Sequence, residues 1–154
     1  MHMRLVAGRS ILFLFAAAAA LAQSDHPNVA SAAALANDIA QTGHAAVYGI
    51  YFDAGKADLK PQSDPTLAEI GKLLVANGQL KLLVVGHTNN VGGLAANLVL
   101  SKQRADAIVA ALVTRYHVAA ARLRASGIGP LAPVATNRTE EGRAKNRRVE
   151  LVEQ

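Results

Sequence analysis

The sequence contains no cysteine and no tryptophan. The first absence excludes disulfides, thiolate metal sites, a cysteine nucleophile and a lipid attached at cysteine after signal cleavage. The second, with only three tyrosines and three phenylalanines in 154 residues, leaves the core to Leu, Val, Ile and Ala. The formal charge is +5, yet the basic residues form no long run and no aromatics interleave with them. Nucleic acid is therefore not an expected partner. An apolar run of about 20 residues, the length that crosses a bilayer, is also missing.

What is present begins with a targeting pattern. Arg4 and Arg9 precede the apolar run "SILFLFAAAAALA", and Ala20-Leu21-Ala22 fits a small-x-small cleavage site. Residues 1–22 read as a signal peptide, with Gln23 as the first mature residue and the periplasm as the destination. Its removal takes two arginines and leaves a charge of +3. Residues 23–46 start polar and become Ala-rich, with Leu35 and Ile39 four apart on a short helix. Residues 47–154 remain for one domain. Residues 23–46 are too short for an outer-membrane barrel, which needs at least eight strands of about ten residues each.

Within the domain, "VYGIYFD" (47–53) is predicted as a strand. A helix follows, starting between Pro61 and Thr66, with Asp64 as its cap and Pro65 at its first position. Leu67, Ile70, Leu73 and Leu74 form its buried stripe, and Gly78 ends it. "LKLLVVGHT" (80–88) reads as a central strand, apolar almost throughout. Ser101 is the expected cap of a second helix, whose stripe is Ala105, Ile108, Val109, Leu112 and Tyr116. "RLRASGIG" (122–129) is a third strand, and the prolines of "PLAPVAT" exclude a sheet interior. Thr139 caps a short helix with Glu140 and Glu141 in its first turn and Asn146 at its close. "RRVELVE" (147–153) is the last strand. The class is α+β, a β-α-β-α-β-β sandwich with helices on one face of a four-stranded mixed sheet.

The chemistry-bearing residues do not assemble into an enzyme. Ser101, His87 and Asp53 make a triad on paper, but there is no Gly-x-Ser-x-Gly elbow. The mature histidines, His26, His44, His87 and His117, contain no i,i+4 pair and no HExxH. Asp53 and Asp58 share a loop without anything that would split their roles. No cofactor or metal is expected. Arg104 stands out: with Ser101 as cap it would be the third helical residue, a cation at the wrong end of the dipole. There it would either be a bidentate carboxylate receptor beside free backbone N–H groups, or a solvated arginine paired with an acid such as Asp53. The loop 88–97 offers Thr88, Asn89, Asn90, Gly92, Gly93 and Asn97, either as an ordinary turn or as a set of amide donors and acceptors. Of Arg147 and Arg148, adjacent on a strand, one face would take each.

The segments "YFDAGKADLKP", "VVGHTNNVG", "NLVLSKQRADAIVAAL", "RLRASGIG" and "NRTEEGRAKNRRVEL" together resemble the OmpA-like C-terminal domain, a peptidoglycan-binding module. They occur in that family's order and spacing over 47–153. The resemblance implies a mixed four-stranded sheet with an antiparallel last strand, in a non-catalytic protein of the cell envelope. The implied ligand is the diaminopimelate of the peptidoglycan stem peptide. Arg104 matches the arginine that grips a carboxylate of that amino acid. Asn89 stands where the family's "HTDN" places an aspartate for the ammonium. Phe52, Asp53, Ala54, Thr88, Asn90, Asn97 and Leu100 would wall the cleft, with Arg147 or Arg148 at its edge. Outer-membrane or other envelope proteins are further implied partners. Asn89 also leaves a second reading, a scaffold whose ligand binding is weakened or lost and which acts as a structural or interaction module.

Overall fold

The computed structural model describes residues 28–154. The expected signal peptide and the first five mature residues lie outside them. In chain order the elements are α1 (Ala32–Thr42), β1 (His44–Val47), α2 (Asp64–Ala76), β2 (Leu82–His87), α3 (Leu94–Tyr116), β3 (Leu123–Gly129), α4 (Glu140–Asn146) and β4 (Val149–Glu153). The sheet order is β1-β4-β2-β3. β4 runs antiparallel to both β1 and β2, while β2 and β3 are parallel and joined through α3. The mixed sheet with an antiparallel last strand is as the resemblance implied.

Alternation along the strands decides which face is covered. Ala45, Val47, Leu82, Val84, Val149 and Leu151 are buried and in register across β1, β4 and β2. Against them lie Leu35 and Ile39 of α1, Leu67, Ile70, Leu73 and Leu74 of α2, and Ala105, Ile108 and Leu112 of α3. Each fully buried Leu or Ile contributes about 1.5–3 kcal/mol. α1 is tied to α2 at its start, where the Ala32 N–H donates to Glu69 Oε2 at 2.8 Å. Lys72, hydrogen-bonded to the same carboxylate, holds Glu69 below the usual carboxylate range.

Three expected boundaries are corrected. The first strand is not 47–53 but His44–Val47. Pairing with Val149–Val152 of β4 fixes it, whereas beyond it Phe52 makes only an isolated bridge with Leu59. Asp64 is the first residue of α2 rather than its cap, and the preceding Ser63 is spent on both the N–H and the carbonyl of Tyr51. α2 ends at Ala76 with Asn77, not Gly78, as its cap; the Asn77 side chain donates to the Leu73 carbonyl.

The largest correction concerns α3. It begins seven residues before Ser101, after Gly93, so Ser101 is an interior residue. Ser101 is 1% exposed; its hydroxyl donates to the Leu98 carbonyl and accepts from the Gly129 N–H at 2.9 Å. The helix can lie this close because β2 and β3 present glycines there. A Cβ on Gly86 would stand 2.2 Å from the Ser101 carbonyl oxygen, and one on Gly127 would stand 2.1 Å from the Lys102 nitrogen. α4 forms as expected, with the Thr139 hydroxyl accepting from the Gly142 N–H.

Candidate functional site

The C-terminal ends of β1 and β2 and the N-terminal end of β4 meet at one edge of the sheet, where Val149 pairs with both Val47 and Gly86. The segment after β1, the loop after β2 and the residues before β4 therefore converge. α3 starts at that edge and runs back over the sheet.

Arg104 is the eleventh residue of α3 and not near its start. The macrodipole argument for it fails, and the helix N-terminus adds nothing to its pull on anions. What positions it is the segment 52–56. Its Nε donates to the Lys56 carbonyl at 2.9 Å and its Nη2 to the Asp53 carbonyl at 3.2 Å. The guanidinium carbon lies 5.0 Å from the centre of the Phe52 ring, within cation–π range. A guanidinium has five N–H donors, so three remain for a ligand. Burial, and then the neighbouring Arg147 charge, push the Arg104 pKa down, though an arginine stays charged regardless. The alternative of an ion pair with Asp53 does not occur: that carboxylate takes Lys60 at 3.0 Å. Ala54 is exposed beside it, and Leu100 sits half-buried one helical turn before Arg104.

The loop after β2 is an ordered turn. The Asn89 Oδ1 accepts from the Val91 N–H at 3.0 Å, and the Asn97 Nδ2 donates to the Val91 carbonyl at 2.9 Å. Thr88 is buried; its N–H donates to the Gly129 carbonyl and its hydroxyl to the Asn89 carbonyl. Gly92 takes the left-handed region at φ 91°, while neither asparagine of the turn does. Asn90 is exposed. Asn97 and Arg104 sit seven residues apart on α3, about 10 Å along its axis.

The two arginines before β4 separate. Arg147 is close enough to Arg104 to act on its charge, and it is paired with Glu140. Arg148 goes elsewhere: it is 5% exposed, bonded to Glu150 and to the Ala132 carbonyl. His87 lies by Arg148, buried, with neither ring nitrogen hydrogen-bonded. Burial first, and Arg148 second, push its pKa down to about 4 against the opposing pull of Glu150. Ser101 and Asp53 each have other partners and His87 bonds to neither, so the paper triad does not assemble. Among the described residues, no group of three His, Cys, Asp or Glu comes together to hold a metal.

Sequence reasoning missed Lys56 and Lys60, which act through a carbonyl and through Asp53. It also missed an open cleft of about 450 Å³ beside Phe52, walled by Asn28, Tyr51, Lys60 and Gln62. Only the aromatic pair Tyr51-Phe52 hinted at it.

Residues 51–147, which carry nearly all of these groups, match the OmpA family. The chain belongs to that family. It is similar to the probable lipoprotein YiaD of Escherichia coli, 42% identical over 66% of this chain and 46% of that protein. It is also similar to the peptidoglycan-binding protein ArfA of Mycobacterium bovis, 39% identical over 67% of this chain and 31% of that one. This OmpA-family chain therefore spans less than half the length of either. Among solved structures it superposes on the peptidoglycan-associated lipoprotein of Burkholderia pseudomallei with a TM-score of 0.61, at 32% identity over 68% of this chain and 88% of that one.

Proposed function

We propose that this chain binds peptidoglycan without catalysis, gripping the diaminopimelate side chain of a stem peptide and so tethering to or sensing the cell wall. The observation that carries the reading is the Arg104 guanidinium. It is held by two carbonyls and an aromatic ring, with three donors to spare, in the arrangement that suits a carboxylate. The names of the relatives, peptidoglycan-binding and peptidoglycan-associated, support it. Thr88, Asn90, Asn97, Leu100, Phe52, Asp53 and Ala54 wall the ligand, and Arg147 adds positive potential. The Arg-flanked apolar run ending in Ala-Leu-Ala supports export to the periplasm with cleavage before Gln23; outer-membrane or other envelope proteins are the partners expected there.

Pull-down on purified sacculi tests the reading, with wild type and Arg104→Ala side by side. The wild type should be retained and the variant lost while its thermal transition persists. Equal retention would remove Arg104 from the site. One observation favours the scaffold reading instead: Asn89 lacks the carboxylate that an ammonium would face. Failure of the wild type to bind sacculi would establish that second reading over the first.

A further inference from the structure

The cleft of about 450 Å³ beside Phe52 has the size of a ligand site. Its rim is fixed by the fold: the Tyr51 N–H donates to Ser63 Oγ at 2.8 Å, and the Tyr51 carbonyl accepts from the Lys60 N–H at 3.0 Å. Two kinds of surface meet there. Tyr51, Phe52, Pro61 and Pro65 give flat apolar walls, and Tyr51 is 38% exposed. Asn28 and Gln62 give side-chain amides, each both donor and acceptor. The Asn28 Nδ2 donates to the Tyr51 hydroxyl at 3.3 Å, which leaves that hydroxyl's own proton and the Asn28 side-chain oxygen open. The exposed Gln62 amide has no partner among the described residues. Lys60, the one charged wall, is neutralised by Asp53 at 3.0 Å.

Such a cleft fits a neutral, polyhydroxylated ring. A pyranose has apolar C–H faces that lie against aromatic and proline rings, and hydroxyls that, like the amides, both donate and accept. A carboxylate or phosphate would find no unpaired cation among the walls, and a wholly apolar ligand would strip water from the amides without replacing it. The cleft is continuous with the carboxylate site, because the Phe52 ring that lines it also lies 5.0 Å from the Arg104 guanidinium carbon. We infer that the cleft is a second subsite, which takes an N-acetylated sugar of the glycan strand while Arg104 holds the stem peptide. This inference rests on the diaminopimelate reading above and adds the sugar to what the chain recognises. A stem of three residues from sugar to diaminopimelate spans about 10 Å when extended, which suits two subsites that share one aromatic ring.

The experiment is calorimetric titration of the chain with two probes: a bare diaminopimelate-containing tripeptide, and the same tripeptide carried on its N-acetylated disaccharide. Wild type should bind the disaccharide probe roughly 5- to 30-fold more tightly, which is what one or two neutral hydrogen bonds supply. Tyr51→Ala and Gln62→Ala should each reduce that gain while binding the bare tripeptide as wild type does. Gln62 is exposed and bonds to nothing in the described fold, so its variant keeps the test valid if Tyr51→Ala fails to fold. If wild type binds both probes equally, or if the gain survives Gln62→Ala and a folded Tyr51→Ala, the inference fails and the diaminopimelate reading stands. If neither probe binds, both fail.

Discussion

Arg104 lies over the Phe52 ring at 5.0 Å while its Nε and Nη2 are fastened to the Lys56 and Asp53 carbonyls of the same segment. One short stretch of chain, five residues from Phe52 to Lys56, thus fixes the direction in which the guanidinium's remaining donors point. Replacing Phe52 by Leu keeps the bulk and removes the ring. A cation–π contact at a partly exposed site contributes about 0.5–1 kcal/mol, so affinity for sacculi should fall about 2- to 5-fold. Co-sedimentation with sacculi measures this, and an unchanged isotherm would show that the carbonyls alone hold Arg104.

Substituting Asn89 by Asp should tighten binding of a free-amine diaminopimelate peptide by roughly 5- to 30-fold, because a charge-assisted bond replaces a neutral one. One Asp oxygen can keep the Val91 N–H while the other faces the ammonium. The gain should shrink as salt rises if the pair is wet. Stability should change little, since either side chain completes the same turn. Titration at two ionic strengths reads both effects.

Ser101→Ala separates a buried hydrogen-bonding residue from a helix cap. The buried Gly129 N–H loses its acceptor, at a cost of about 1–3 kcal/mol. The helix start at Gly93 lies two turns away and should not fray. Urea unfolding should show the loss, while amide exchange at residues 94–97 should stay as in wild type.

The buried His87 makes stability fall in acid. Its folded pKa is about 4 against an ordinary 6.5. Between those values the unfolded chain takes up a proton that the folded chain refuses. Stability is therefore full above pH 6.5 and declines as pH drops toward 4, by on the order of 3 kcal/mol. Glu69, held below the usual carboxylate range, adds a further loss as pH falls through its own transition. In urea melts at stepped pH, His87→Gln should flatten the slope between 6.5 and 4. A wild-type profile that is flat there would contradict the burial of a neutral imidazole.

Periodicity exposed the core well: Leu67, Ile70, Leu73 and Leu74 are 0–1% exposed, as are Ala105, Ile108 and Leu112. Edges were less legible because tertiary pairing decides them. Tyr48 to Phe52 have strong strand propensity, yet β1 stops at Val47, where its pairing with β4 ends. Ser101 before a polar stretch reads as a cap. Its true role depends on Gly86 and Gly127, which are distant in sequence and close in space. In the sequence Arg104 stands out on a helix-end argument that the geometry removes. Its actual supports are backbone carbonyls of Asp53 and Lys56, which no side-chain pattern displays.

The most direct test is calorimetric titration of the chain and of Arg104→Ala with a diaminopimelate-containing stem peptide. The account predicts saturable binding to the wild type and none to the variant, with the same cooperative thermal unfolding in both. Equal binding by the two proteins, or no binding by the wild type, would contradict it.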